Sequence, residues 1–396
     1  MTVKSINEYI QKNWRNTVRS KATVDGLSLP YPFSVPCLKE RFTCFFYWDT
    51  YFINLGLLFD DLPQAKNNLS NMKFFVERMG YVPNGNKKVM FNRSQPPLYA
   101  HAVMDYYKAT KDIAIISEHY ESVKKEYSFW MQNRNTEIGL NQYKANPSKE
   151  EIQDFYVELK KRNILDGKID DDGILHYFAE AESGWDFSCR FKNQALHFVQ
   201  VDLNSILYGV ERILSECAKL LKKQDEFVFF LQASECRKQR MKEYLVDENG
   251  IYRDYNFVKK ERSNYVTAAS LLPFAYGVSE EKIVCLNTFE KLEFSCGVSA
   301  GDLQTGEQGF QWAYPNMWPP LVFWAYKALR RTGLKEQADR VREKYLNTVK
   351  NQFLNTGSLW EKYDVRTGAV SNIEYESPCM LGWTAGVYRY LSQAML

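Results

Sequence analysis

The stretch Leu98-Tyr-Ala-His-Ala-Val-Met-Asp-Tyr-Tyr-Lys-Ala-Thr110 is followed, after only Lys111-Asp112, by Ile113-Ala-Ile-Ile-Ser-Glu-His-Tyr-Glu-Ser-Val-Lys-Lys-Glu-Tyr-Ser-Phe-Trp-Met-Gln-Asn133. Both runs carry apolar residues at i, i+3 and i+4, the spacing that lays one helical face against a core. So short a connection folds two such runs into an antiparallel α-hairpin. The same periodicity recurs at 5–18, 48–58, 63–79, 202–223, 225–245, 266–276, 280–289, 321–332, 335–353 and 382–395. Ser279-Glu-Glu-Lys reads as a helix start, and Gly333 as a stop before the helix that opens at Leu334-Lys-Glu-Gln.

Between the hairpins a weaker element repeats. Gly139-Leu-Asn-Gln-Tyr143, Gly173-Ile-Leu-His-Tyr177, Gly250-Ile-Tyr-Arg-Asp-Tyr255 and Gly357-Ser-Leu-Trp-Glu-Lys-Tyr363 each set a glycine turn before a short extended segment. Their irregular spacing excludes a fixed-period solenoid. The expected architecture is all-α: one domain over residues 1–396, a toroid of helix pairs whose loops converge on one end. Segment 146–172 is charge-rich and is expected to form a helix and an exposed turn. Within it, Asp170-Asp171-Asp172-Gly173 lacks the remaining ligand positions of a calcium loop and reads as a solvated turn.

Charge excludes several classes of partner. Lys and Arg number 51 against 48 Asp and Glu, with no long basic run, so neither nucleic acid nor an anionic membrane is an expected partner. No apolar stretch reaches the ~18 residues that a membrane span needs. Cys37, Cys44, Cys189, Cys217, Cys236, Cys285, Cys296 and Cys379 are scattered without a CxxC and read as buried free thiols. The four histidines form no HxxxH, so neither a metal nor any cofactor is expected. The first sixteen residues read as an amphipathic helix rather than a secretory signal. Sequons occur at Asn68 and Asn92, the second among candidate site residues, and the expected location is cytoplasmic. The 26 Tyr, 25 Phe and 9 Trp fit an aromatic core or a ring-lined groove of the kind that binds carbohydrate.

Functional groups cluster in short segments. They are Arg41-Phe-Thr-Cys-Phe-Phe-Tyr-Trp-Asp49, Pro83-Asn-Gly-Asn86, Asn92-Arg-Ser-Gln-Pro-Pro97 and Ala181-Glu-Ser-Gly-Trp-Asp186. Further on come Gln311-Trp-Ala-Tyr-Pro-Asn-Met-Trp318, Trp360-Glu-Lys-Tyr-Asp364, Glu374-Tyr-Glu376 and Gly382-Trp-Thr384. Most set a Trp beside a carboxylate or amide: an apolar face for C–H surfaces next to a partner for hydroxyls. Two opposed carboxylates in such a cleft, without a metal, fit glycoside hydrolysis.

From Arg41 to Val387 these segments resemble, in order, the trehalase family of glycoside hydrolases. The resemblance implies an (α/α)6 barrel and hydrolysis of an α-glucosidic bond with inversion. It implies Asp186 as general acid and Glu361 as general base, with the two carboxyl groups roughly 6.5–9.5 Å apart. Arg41, Trp48, Asp49, Asn84, Arg93, Gln95, Gly184 and Glu374 match residues that hold the sugar, and Trp48, Trp185 and Trp383 are candidates to wall the pocket. The partner is then a small sugar.

Departures from the family pattern fall on the leaving-group side. Ala313 and Met317 stand where trehalases carry Asp and Gly, and Ser148 stands where an Arg-Pro-Glu element carries Arg. The Gly-rich loop before Glu374 shrinks to Arg366–Ile373. These changes lead to the expectation that some other small α-glucoside is hydrolysed better than trehalose. A trehalase proper is the alternative, and an inactive sugar-binding relative a third reading.

Overall fold

The computed structural model describes residues 3–20, 25–38, 42–165, 169–379 and 382–394. Among them are fourteen α-helices. They are α1 (Val3–Asn13), α2 (Tyr47–Asp60), α3 (Leu62–Met79), α4 (Tyr99–Thr110), α5 (Ile113–Asn133), α6 (Lys149–Lys161) and α7 (Asp171–Ser183). There follow α8 (Val201–Leu220), α9 (Gln224–Leu245), α10 (Leu272–Tyr276), α11 (Lys282–Glu290), α12 (Pro319–Arg331), α13 (Lys335–Thr356) and α14 (Gly382–Gln393).

Six of these pack as a closed ring: α2 on α4, α4 on α8, α8 on α10, α10 on α12, α12 on α14, and α14 back on α2. Helix α2 is apolar nearly all round, from Tyr47, Trp48 and Phe52 to Leu57, as a helix covered on every side must be. An outer layer of α1, α3, α5, α9, α11 and α13 covers the ring. Each outer helix returns the chain, so the inner six run parallel with their N-termini at one end. This is the (α/α)6 barrel. Helices α6 and α7 are an excursion between α5 and α8; they pack on each other outside the ring of six.

The seam between the first and last inner helices is the tightest contact. A Cβ on Gly386 would stand 1.9 Å from the Phe52 carbonyl oxygen, and one on Gly56 would stand 3.0 Å from the Gly386 Cα. A buried ion pair locks the same seam. Arg389 donates to Asp60 from Nε (2.8 Å) and Nη2 (2.5 Å), and the Trp14 indole N–H donates to the same carboxylate at 2.9 Å. With its hydrogen bonds made, the Asp60 charge is tolerable under cover.

Local chemistry sets most helix ends. Asp61 caps α3 by accepting the Gln64 N–H, and Gly80 ends it at φ 88°. Three expectations are corrected. Asp170-Asp171-Asp172-Gly173 is the cap and first turn of α7, not a solvated turn, and Gly173–Tyr177 is helical. The Asp170 carboxylate accepts the Gly173 N–H at 2.9 Å, and acidic side chains suit a helix N-terminus. The run 266–276 holds only a 3-10 turn (Ala268–Leu271) and the short α10, with Pro273 in its first turn. Helix α11 begins at Lys282, because Ser279 spends its Oγ on the Glu281 N–H (3.3 Å) before the helix.

The other glycine-led segments are extended as expected. Asn135 bridges Asn141, Val246 bridges Tyr252, and strand Tyr363–Asp364 pairs with Asn316–Met317. Neither sequon presents a free acceptor. Asn68 is buried and bonded to Ser34, Asn54 and Gln64, and Asn92 donates to Glu151 at 2.9 Å.

Gly386→Ala should destabilise the protein by about 3 kcal/mol, since the new methyl meets backbone carbonyl rather than a flexible side chain. Thermal unfolding followed by circular dichroism checks this. An unchanged midpoint would mean the seam can relax at no cost.

Candidate active site

The N-terminal ends of the inner helices and their loops enclose a cleft of about 630 Å³. Its floor is indole. Trp312 and Trp318 stack with centroids 3.9 Å apart at 5°, and Trp48 meets Trp383 edge-on at 5.9 Å. Trp185, expected as a wall, is fully buried beneath Trp312 at 5.4 Å. Two indole N–H groups are tied down, Trp383 to the Glu361 carbonyl (3.1 Å) and Trp318 to the Gln311 carbonyl (2.9 Å). Aromatic faces locked in this way can meet the C–H face of a ring.

The short motifs hold one another in place. Gln95 accepts the Trp48 N–H at 3.0 Å, satisfying a first-turn amide of α2 that has no partner in its own helix. The Tyr47 N–H donates to the Asn84 carbonyl (3.0 Å), and the Asn84 N–H to the Arg93 carbonyl (2.9 Å). Glu182, fully buried, accepts the Ser94 N–H (2.8 Å), the Lys144 N–H (2.7 Å) and two bonds from Arg134. Gly184 sits at φ 77° with the Trp48 ring 2.9 Å from where a Cβ would be, so both the turn and the contact require glycine. Gln311 donates from Nε2 to the Asp186 carbonyl at 2.6 Å. Its buried Oε1 has no partner among the described residues and is available to a ligand hydroxyl. Glu374 adopts φ 66°, an uncommon conformation for a non-glycine residue.

Five carboxyl groups line this cleft: Asp49, Glu158, Asp186, Glu361 and Glu374. Burial pushes Asp49 up to about 8, with Glu361 and Asp186 adding repulsion. Burial likewise carries Glu374 to about 7. Asp186 keeps 36% of its side chain exposed, so its recess is partial, and burial lifts it to about 6 against the pull of Arg162 and Arg93. Glu361 is buried; Lys362 Nζ lies 3.0 Å from its Oε2, and the Tyr375 hydroxyl donates to its Oε1 at 3.1 Å. One carboxyl that holds its proton toward neutrality, beside another paired with an ammonium, is an acid–base arrangement.

Ten of the expected residues meet in this cleft: Trp48, Asp49, Asn84, Arg93, Gln95, Gly184, Asp186, Glu361, Glu374 and Trp383. Arg41 lies outside the described residues. Ala313 and Met317 are fully buried and absent from the lining, with the Met317 sulfur packed at Gly297, so they add no apolar surface to the leaving-group side. Ser148 caps α6 in a reciprocal box with Glu151 and holds no position in the cleft lining. Sequence reasoning missed Arg162 and Lys161, which line the cleft from the end of α6, and gave no role to Gln311 or Tyr375. The last two lay inside quoted motifs; the first two sat in a charged run with no distinguishing signal. Among the described residues, no group of three or more His, Cys, Asp or Glu side chains could hold a metal ion.

The family model described as Trehalase matches residues 1–395. The chain belongs to the trehalase family. It is therefore a glycoside hydrolase, and its relatives carry matching names. A periplasmic trehalase of Xanthomonas campestris pv. campestris is 29% identical over 97% of this chain and 72% of its own length. A trehalase of Apis mellifera is 28% identical over 91% of this chain and 62% of its own. In fold, the chain is similar to neutral trehalase Nth1 from Saccharomyces cerevisiae, with a TM-score of 0.78 at 22% identity, covering 100% of this chain and 81% of that one. The periplasmic trehalases among the relatives overturn the cytoplasmic location expected from the sequence. Of the eight thiols expected to be buried, Cys37, Cys44, Cys189, Cys217 and Cys285 are, whereas Cys296 is partly exposed and Cys236 and Cys379 are exposed. Across this trehalase-family chain no described helix is long and apolar enough to cross a membrane.

The burial of Asp49 has a pH signature. Its folded value of about 8 lies above the ~3.9 of an unfolded chain, so its contribution to stability falls as pH rises between the two. Asp49→Asn removes the charge that must be buried. Its thermal midpoint should exceed that of the parent at pH 9 by roughly 2–5 °C and converge with it only near pH 4. Equal midpoints at pH 9 would contradict a buried, raised carboxyl.

Proposed function

We propose that the chain hydrolyses α,α-trehalose to two glucose molecules with inversion at the attacked carbon. The observation that carries this is the meeting of Asp186 and Glu361, from separate loops, in one indole-floored cleft of a trehalase-family chain. The relatives named as trehalases support trehalose as the substrate, and the burial of Ala313 and Met317 answers the part of the sequence argument that rested on them, leaving Ser148 and the short Arg366–Ile373 loop as departures. The reading takes its location from the periplasmic relatives.

Asp186 is the general acid. It gives its proton to the oxygen linking the two sugars as that bond lengthens, and its recess keeps the proton available up to about pH 6. Glu361 is the general base. Lys362 favours its charged form, and the carboxylate takes a proton from the water that attacks from the opposite face. Arg93 is half-buried against the Phe155 and Phe178 rings, its Nη1 held by Asn92 (2.8 Å) and Val89 (3.2 Å), so its fork arrives pre-set to meet hydroxyl oxygens. Asp49 and Glu374 accept hydroxyl hydrogens, and the indole floor receives the C–H face of the ring. No step requires a metal or cofactor.

Asp186→Asn and Glu361→Gln should each lower trehalose turnover by about 10²–10⁴ or more. The two variants should part on α-glucosyl fluoride, whose leaving group needs no proton. Asp186→Asn then recovers much of its rate and Glu361→Gln does not. Proton NMR during turnover should show one β-glucose released for each α-glucose, before mutarotation mixes them. Two α-anomers would mean retention and a nucleophilic carboxylate instead.

The parent enzyme should lose activity as pH rises through about 6, because the acid must be protonated to act. A plateau extending past pH 8 would assign the acid role to a different group.

A further inference from the structure

Helix α6 belongs to neither layer of the barrel, yet it is aimed at the cleft. Ile152 and Leu159 on its apolar face pack against Ile174, Tyr177 and Phe178 of α7 and against Phe187. Asn163, at φ 56°, then turns the chain, and the Ile164 N–H bonds back to the Leu159 carbonyl at 3.1 Å. This delivers Arg162 to the cleft. One guanidinium nitrogen lies 3.8 Å from Asp186 Oδ2, another lies 3.7 Å from Glu374 Oε2, and the group rests 5.1 Å from the centre of the Phe187 ring.

Those two distances are ionic contacts, too long for hydrogen bonds. Arg93 differs, since its Nη1 is bonded to Asn92 and Val89. The Arg162 side chain is 28% exposed, so it combines a fixed position with N–H groups open to the cleft. A group beside the acid also stands beside the oxygen that the acid protonates, on the side of the departing sugar.

We propose that Arg162 is the leaving-group arginine of this cleft. It donates to hydroxyls of the departing sugar and, through its charge, sets how tightly Asp186 holds its proton. This rests on the reading of Asp186 as general acid. Facing Asp186 are Arg162 from the end of α6, Arg93 from the loop before α4, Glu180 of α7 and Asp49 of α2, with Glu361, Glu374 and Tyr375 from the loops after α13. Two cations therefore oppose several acidic groups, and loss of one cation shifts the balance toward the protonated form.

The test compares Arg162→Gln, Arg162→Lys and, as a control at the same helix end, Lys160→Gln. In Arg162→Gln the alkaline limb of kcat/KM should move up by about one pH unit. Its kcat/KM on trehalose should fall about 100-fold, mostly through KM, because buried sugar hydroxyls lose their donor. On α-glucosyl fluoride, whose leaving group offers no hydroxyls, the loss should stay within about threefold. Arg162→Lys keeps the charge and should keep the limb, while recovering only part of the trehalose rate. Lys160→Gln should change neither quantity.

A parental limb in Arg162→Gln, or equal losses on both substrates, would overturn the proposal and leave Arg162 a prop for α6. If the parent protein releases no glucose from trehalose, the functional reading fails separately. Carboxyl ¹³C NMR of aspartate-labelled protein, with Asp186 assigned through Asp186→Asn, then still decides the electrostatic half. An upward Asp186 titration in Arg162→Gln supports it, and an unmoved one refutes it.

Discussion

Gly56 and Gly386 let the backbones of the first and last inner helices touch, and that contact closes the ring. The site depends on the closure because its parts come from both sides of the seam. Trp48 and Asp49 stand at the start of α2, and Trp383 at the start of α14, where its indole holds the Glu361 carbonyl. Asp60 ties the other end of the seam by collecting Arg389, Trp14 and Gln11 on one carboxylate. A ring pinned at both ends of its seam fixes the spacing of side chains at its mouth. Loops can then carry the chemistry without having to supply the rigidity.

The cleft gathers carboxyl groups that would be more stable in water. Asp49, Asp186 and Glu374 are all pushed upward chiefly by burial, and only Asp186 and Glu374 face Arg162. Such a cluster weakens the fold, and it persists because the surroundings over-determine it. Glu182 ties the Ser94 and Lys144 backbones and the Arg134 side chain together next to it, and the stacked indoles leave little room for collapse. Functional sites are commonly the places where local stability is given up in this way.

Much of this was legible in the chain. Apolar spacing revealed the hairpins because every ring helix must bury one face or more, and α5 falls on the residues its periodicity indicates. Motifs revealed most of the cleft because neighbouring residues such as Trp48 and Asp49 share one turn. What stayed hidden has physical reasons. Helix α7 was missed because its acidic first turn looks the same whether it is solvated or capping. Arg162 was missed because a cation in the run Lys160-Lys161-Arg162 gains meaning only from what it faces across space. Ala313 and Met317 were read as leaving-group residues from their places in the family pattern, whereas both are buried in the core, Met317 through the antiparallel pairing of Asn316–Met317 with Tyr363–Asp364.

The excursion that carries α6 makes one further connection. The Arg162 guanidinium at its end faces Asp186 and Glu374 at once, so a single insertion, deletion or turn of that helix changes both contacts. The barrel need not move, because α6 packs on α7 rather than in the ring. On the role proposed for Arg162, one segment sets both substrate range and pH range: remodelling the rim to accept a new aglycone also resets the acidity at which the cleft works.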